Sequence, residues 1–261
     1  MITSRLLASH GIRHGFSTRE GGVSAPPFDT MNLARNVGDD PTAVAENHAR
    51  LARAIGYDVE RLFEASQVHG VRLIEVDGRE AADVRREEAD ALVTTSAGRA
   101  VGVRTADCVP LLVGDPSRRI ACAIHAGWRG AVEGIVPRAI ASLLAHHGVG
   151  AESLVVAIGP HIRVASFEVG DEVVDAITKA MPRGSASAAV VRGGPPIVEP
   201  PGARPHASLA TLVIAQLLDA GIRDAHIDDV GGDTCSEAAR FHSHRRDAAR
   251  SGRQLSVIVA G

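Results

Sequence analysis

Residues 105–130 read TADCVPLLVGDPSRRIACAIHAGWRG, and the rest of the chain is arranged around them. Val109–Val113 and Ile120–Ile124 are short apolar runs, and Gly114-Asp115-Pro116-Ser117 between them carries turn chemistry. Two such runs with such a joint predict neighbouring strands folded into a hairpin. The start of the first strand and the end of the second then share an edge, so Cys108 and His125 are expected to be neighbours. Ala126–Gly130 leads into a helix-like pattern, which places His125 at a strand-to-helix junction. Period-two alternation puts Ile120, Cys122 and Ile124 on one face and Ala121, Ala123 and His125 on the other, so Cys122 reads as core.

The chain has 261 residues and no stretch that reads as a linker, which predicts a single domain over residues 1–261. A formal net charge of −3 argues against nucleic acid as a bulk electrostatic partner, and no Lys/Arg run suggests a membrane surface. The segment MITSRLLASHGIRHG lacks the apolar core of a signal peptide, and no stretch reaches membrane-spanning length. The expected location is the cytoplasm. Three cysteines give no disulfide framework, so each is core filler, metal ligand or nucleophile. Lys179 is the single lysine among abundant arginine and alanine, a coding bias that points to a G+C-rich bacterial genome. Oligomeric state leaves no mark on the sequence.

Outward from the centre, residues 12–18 predict a first strand, followed by the glycine turn Arg19-Glu20-Gly21-Gly22 and a loop to Asp40. Asp40-Pro41 is a helix start, with Val44, His48, Leu51 and Ile55 forming one face and Gly56 closing it. Leu62–Ala65 and Val71–Val76 are β-prone around Gln67-Val68-His69-Gly70, and Asp77–Glu88 reads as a charged loop. Ala91–Thr94 and Ala100–Arg104 precede the central pair, and residues 131–146 follow as one helix. Leu154–Ile158, Ala225–Val230 and Gln254–Val259 are further strands; Val169–Met181 and Leu209–Leu218, the latter starting near His206, are helices. Pro182–Pro205 reads as a long mobile loop. Strands in succession as well as strands alternating with helices predict an α+β protein with mixed sheets.

Several residues could carry chemistry. Cys108 sits at a strand mouth beside Asp107 rather than inside an apolar run, and function and packing are both open for it. Cys235, in Gly231-Gly232-Asp233-Thr234-Cys235, reads as loop, and His146 and His147 as partners of a helix dipole. His69, in a turn next to Gly70, has no evident packing role. A thiolate and two imidazoles from three segments would suit a zinc ion with an open fourth position, although the spacing matches no local metal motif. His242-Ser-His244 is the single His-x-His pair; on a strand both rings would share a face, as copper sites require, and the alternative is a polar strand end. Arg245-Arg246-Asp247 is either a solvated charge cluster or an anion clamp, and the turn at Arg19 is either a tight turn or a backbone nest for an anion.

The segments FSTREGGVS (16–24), VGDDP (37–41), QVHG (67–70), ADALVT (89–94), TADCVPLL (105–112), HAGWRG (125–130), IGPHI (158–162), FEVGDEV (167–173) and FHSHRRD (241–247) carry a resemblance. In this order they resemble the bacterial YfiH-type, or laccase-domain, family, generally described as purine nucleoside phosphorylases. The resemblance implies an α/β/β/α layered arrangement of mixed sheets, shared with a toxin-type deamidase class. It implies that His69, Cys108 and His125 bind a catalytic zinc. The activities implied are phosphorolysis of adenosine, inosine, guanosine and methylthioadenosine, and deamination of adenosine. The chain departs from the family pattern at Asn36, where histidine is usual, and at His161, where cysteine is frequent.

Three functions compete at the same residues. The first is the zinc-dependent nucleoside enzyme, with Arg19, Arg245 or Arg246 holding phosphate beside C1′ of the ribose. The second is a copper polyphenol oxidase, for which one His-x-His pair is too few. The third is an amide hydrolase with Cys108 as nucleophile and His125 as its base, which would fit the peptidoglycan precursor editing linked to one family branch.

Overall fold

The hairpin forms as expected. In the computed structural model, which describes residues 1–117, 119–184 and 194–261, Val109 pairs with Ala126 and the ladder runs to Asp115 opposite Ile120. In chain order the strands are β1 His14–Phe16, β2 Leu62–Phe63, β3 Leu73–Glu75, β4 Ala91–Thr94, β5 Ala100–Thr105, β6 Val109–Asp115, β7 Ile120–Ala126, β8 Val155–Ile158, β9 Ile197–Val198, β10 His206–Ala207, β11 Ile227–Asp229 and β12 Gln254–Val259. They form a six-stranded sheet ordered β11-β8-β6-β7-β4-β3, a four-stranded sheet ordered β1-β12-β5-β2, and the pair β10-β9. Both larger sheets are mixed: β8 pairs parallel with β11 but antiparallel with β6, and β5 pairs antiparallel with β12 but parallel with β2.

The two sheets stack, the larger carrying several helices on its outer face and the smaller the helix Pro41–Ile55. Val136 and Ile140 of helix Ile135–His147, Ile177 of Asp171–Ala180 and Leu212 of Leu209–Asp219 pack on Val93, Val113, Cys122 and Ile158. The other face of that sheet gives Leu92, Leu112, Ala121 and Ala123 to a second core shared with Phe16, Val101, Val103 and Ile258. Leu255 and Val257, on the far side of the smaller sheet, lie under Leu51, Ala52 and Ile55 of helix Pro41–Ile55. The result is the α/β/β/α layering. Cys122 faces the helices and is buried core, and burial pushes its thiol up to about 12. His125 lies on the face of Ala121 and Ala123, toward the seam between the sheets.

Some elements differ from the sequence reading, each for a local reason. The helix expected over 131–146 is two helices, Trp128–Val132 and Ile135–His147, because Gly134 takes a left-handed conformation with φ 87°. His206 belongs to a strand, not to the following helix, which starts at Leu209 with the Ser208 hydroxyl accepting from the Thr211 amide. Within the loop expected over 182–205, residues 185–193 lie outside the described residues, and Ile197–Val198 pairs with β10. Ala81–Val84 is a short helix within the expected charged loop, and Arg5–Ser9 is another near the start of the chain. Among the described residues no helix is long and apolar enough to cross a membrane.

Candidate active site

The end of the hairpin brings the sequence candidates together. Pro110 pairs with His125, so Cys108, two residues earlier, stands beside that ring. His69 enters from the turn between β2 and β3 and meets His125 edge to face, with ring centroids 4.8 Å apart. The ligand atoms of His69, Cys108 and His125 all lie within 4.8 Å of one another.

The backbone is shaped to allow this. His69 has φ 61°, an uncommon conformation for a residue with a Cβ. Asp90, fully buried at the entry to β4, compensates by accepting the amides of Val68, His69 and Gly70 at 3.2, 2.9 and 2.7 Å. The same carboxylate takes Nδ1 of His125 at 2.8 Å, which turns that ring's Nε2 away from it, and the Asp90 carbonyl accepts the His125 amide. Two glycines of HAGWRG make room. A Cβ on Gly127 would fall 2.3 Å from Nδ1 of His69 and 3.2 Å from the Cys108 sulfur, and one on Gly130 2.8 Å from the Gly70 carbonyl oxygen. Gln67 ties the turn to the other sheet, accepting the Arg104 amide at 2.8 Å and donating to its carbonyl at 2.7 Å.

The electrostatics follow. Burial pushes the Cys108 thiol up, but the His125 charge and hydrogen bonds with both imidazoles bring it down to about 6. Burial alone would lower His125; the Cys108 thiolate and the Asp90 carboxylate raise it to about 9. Both shifts favour the charged forms, the thiolate on Cys108 and the proton on His125, so long as no cation is bound between them. A thiolate and two imidazoles, one of them buttressed by a buried carboxylate, form a donor set suited to one divalent metal ion.

The trio lines a cavity of about 450 Å³, together with Asn36, Ser66, Gln67, Arg104, Thr105, His244 and Arg253. The size lies within the range of small-molecule sites. Of the two departures from the family pattern, Asn36 lines this cavity, whereas the His161 imidazole is buried and bonded to the Gly159 carbonyl.

The other sequence candidates lie elsewhere. Arg19 donates to the Asp29 carbonyl at 2.6 Å, to the Asp29 carboxylate at 3.0 Å and to the Ala238 carbonyl. Arg246 is bound to the Thr234, Cys235 and Phe241 carbonyls and to Asp247. Arg245 lays its guanidinium over Phe167 and donates to the Glu168 carbonyl. Its link to the site is through the main chain: its amide donates to Asp107 at 2.6 Å, beside Cys108. The His242–His244 pair is not on a strand; Ser243 caps the short helix His244–Asp247, so His242 is buried and His244 reaches the cavity. The two rings do not share a face.

Sequence reasoning gave no role to Asp90, Arg104, Thr105 or Arg253. Asp90 had a usable signal, an aspartate directly before the wholly apolar run 91–93. Arg253, in Ser-Gly-Arg-Gln, had none.

Comparison with known proteins supplies the family. Residues 13–261 match the family model described as multi-copper polyphenol oxidoreductase laccase. The chain belongs to this family. Among its laccase-domain relatives, a purine nucleoside phosphorylase of Mycobacterium tuberculosis is 39% identical over 248 residues, 95% of this chain and 91% of that protein. One named purine nucleoside phosphorylase in Deinococcus radiodurans is 37% identical over 247 residues, 95% and 88% of the two chains. The crystal structure of YlmD from Geobacillus stearothermophilus superposes with a TM-score of 0.87 at 32% identity, covering 98% of this chain and 94% of that one. That of the Bacillus licheniformis hypothetical protein YfiH gives 0.88 at 28% identity, covering 96% and 93%.

Proposed function

We propose that this chain is a zinc-dependent purine nucleoside enzyme that phosphorolyses adenosine, inosine, guanosine and methylthioadenosine and deaminates adenosine. The observation that carries the reading is the convergence of His69, Cys108 and His125 on one wall of a nucleoside-sized cavity. The names of the relatives supply the substrate class. Zinc is favoured over copper because multicopper chemistry needs several coordinated sites, and among the described residues His69, Cys108 and His125 are the one such group found. All three cysteines are unpaired, which fits a cytoplasmic protein.

In this reading His69, Cys108 and His125 hold the ion, and Asp90 fixes the tautomer and orientation of His125. When bound, zinc supplies Lewis acidity at neutral pH. Phosphorolysis needs a phosphate oxygen to form a bond with C1′ as the C1′–N9 bond breaks. The bonding pair leaves with the purine, which takes up the proton given by hydrogen phosphate, and the other product is ribose 1-phosphate, or its 5-methylthio analogue from methylthioadenosine. Deamination replaces the C6 amino group by oxygen from water and releases ammonia.

The thiolate–imidazolium pair supports a second reading, the amide hydrolase with Cys108 as nucleophile. Alkylation separates the two. A zinc-bound sulfur reacts slowly; chelation should expose it, speed its modification and abolish turnover, and added zinc should restore activity. The Cys108→Ala variant should lose both metal and activity. Rapid alkylation of active enzyme, indifference to chelators and a covalent intermediate visible by mass would establish the nucleophile instead.

A further inference from the structure

A second chemistry lies on the same cavity, on the side built by the smaller sheet. Arg104 and Thr105 end β5, and Thr105 pairs with Gln254, the first residue of β12, so Arg253 stands directly beside them. Two guanidinium groups therefore reach one cavity, and among the described residues that line it none carries a carboxylate. In a chain of net charge −3 this is a local reversal of sign.

Each group is held with capacity to spare. Arg104 is anchored from behind by the buried carboxylate of Glu64 at 3.0 Å and by the Ala65 carbonyl at 3.2 Å. Arg253 spends Nη1 on the Ser251 and Gly252 carbonyls at 2.7 and 2.9 Å, which leaves Nε and Nη2 without a partner among the described residues. Thr105 is 2% exposed and is among the residues lining the cavity, and its buried hydroxyl has no hydrogen-bond partner among the described residues. A buried hydroxyl without a partner is costly, and a ligand oxygen would satisfy it. Two forked cations on the lining of one cavity, with an unpaired hydroxyl at the same strand end, match a compact oxyanion with several acceptor oxygens.

We propose that Arg104, Thr105 and Arg253 form the subsite for inorganic phosphate, with its nucleophilic oxygen directed toward a ribose held beside the His69–Cys108–His125 wall. The assignment rests on the phosphorolysis reading for its substrate, and on these three side chains for its place. It moves the anion site from Arg19, Arg245 and Arg246, whose guanidinium groups are engaged elsewhere, to two arginines at the open end of the four-stranded sheet.

The test is phosphate dependence in Arg253→Gln and Thr105→Val, which leave the Glu64–Arg104 pair intact. Arg253→Gln should raise KM for phosphate in inosine phosphorolysis by at least about tenfold, as expected for lost bonds to a charged group. KM for inosine should move far less, and Arg253→Lys should recover part of the loss. Thr105→Val should raise KM for phosphate by about tenfold, the lower end expected for one hydrogen bond to a charged group. Binding of inorganic phosphate alone, followed by calorimetry, should weaken in the same order. If the wild-type protein binds phosphate through Arg253 yet releases no purine base, the subsite stands and the phosphorolysis reading falls. Folded variants with unchanged phosphate KM and unchanged phosphate binding would overturn the assignment.

Discussion

Asp90 shows how much a single side chain settles. Its two oxygens collect three amides of the His69 turn and one imidazole nitrogen, so one buried carboxylate sets both the strained turn and the facing ring. Asp90→Asn keeps the volume but loses the charge, and its amide nitrogen cannot accept. Each carboxylate oxygen holds two of the four donors, so two of them then lose their acceptor. Loss of such an outer partner costs metal affinity by about 10–100-fold, and zinc titration against a competing chelator should show a loss of that size. Unchanged affinity would mean that the turn and the ring hold their places without the charge. Cys122→Ala is the matching control: its side chain faces the helices, so the metal content should stay as in the wild type while stability falls by roughly 1–2 kcal/mol.

Among the elements, the central hairpin was legible because its signals are local: two apolar runs, a turn, and a period of two that separates Cys122 from His125. The layering was not local, and it came from resemblance rather than from periodicity. The arginines show why part of the site stayed hidden. Arg245 and Arg246 stand out in sequence as a charged cluster, yet they bind carbonyl groups and a carboxylate of their own surroundings, while isolated Arg253 reaches the cavity. Register between distant strands decides this, and no short-range pattern encodes it. The junction from β7 into helix Trp128–Val132 is the reverse case, since its glycines are visible in HAGWRG but their reason lies in a different segment. Gly127→Ala would drive a methyl into Nδ1 of His69, whereas Gly148→Ala meets nothing within 4 Å. The first should strip the metal and lower the thermal midpoint. Metal content of the second should equal that of the wild type, although its left-handed backbone, φ 61°, costs some stability. Equal zinc in both variants would show that the His69 turn yields freely.

At the scale of the whole molecule, the loops that frame the cavity hang on histidines buried in neutral form. His161 follows β8, bridges to Asp233 and is brought down to about 4, mainly by burial and then by the neighbouring Arg163. His242, whose main chain is locked to the Gln254 side chain, is likewise lowered to about 4 by burial and by Arg19. An unfolded histidine titrates near 6.5, so above that pH both states are neutral and these groups leave stability unchanged. As pH falls from 6.5 toward 4 the unfolded chain takes up protons that the folded chain refuses, and stability drops. Each histidine should cost about 2 kcal/mol by pH 5, with the loss levelling off below about pH 4. Because Asp107 bonds to the Thr234 hydroxyl and to the Arg245 amide, those loops are tied to the residue before Cys108, and acid should loosen the cavity before the sheets separate. Denaturant unfolding between pH 7 and pH 5 checks this through the slope rather than the absolute stability. His242→Asn and His161→Asn should each be less steep than the wild type by about one proton at most, whatever their stability at pH 7. If either variant fails to fold, the other still reports. Slopes that coincide with the wild type in both would show that these imidazoles protonate in the folded protein as readily as in the unfolded chain.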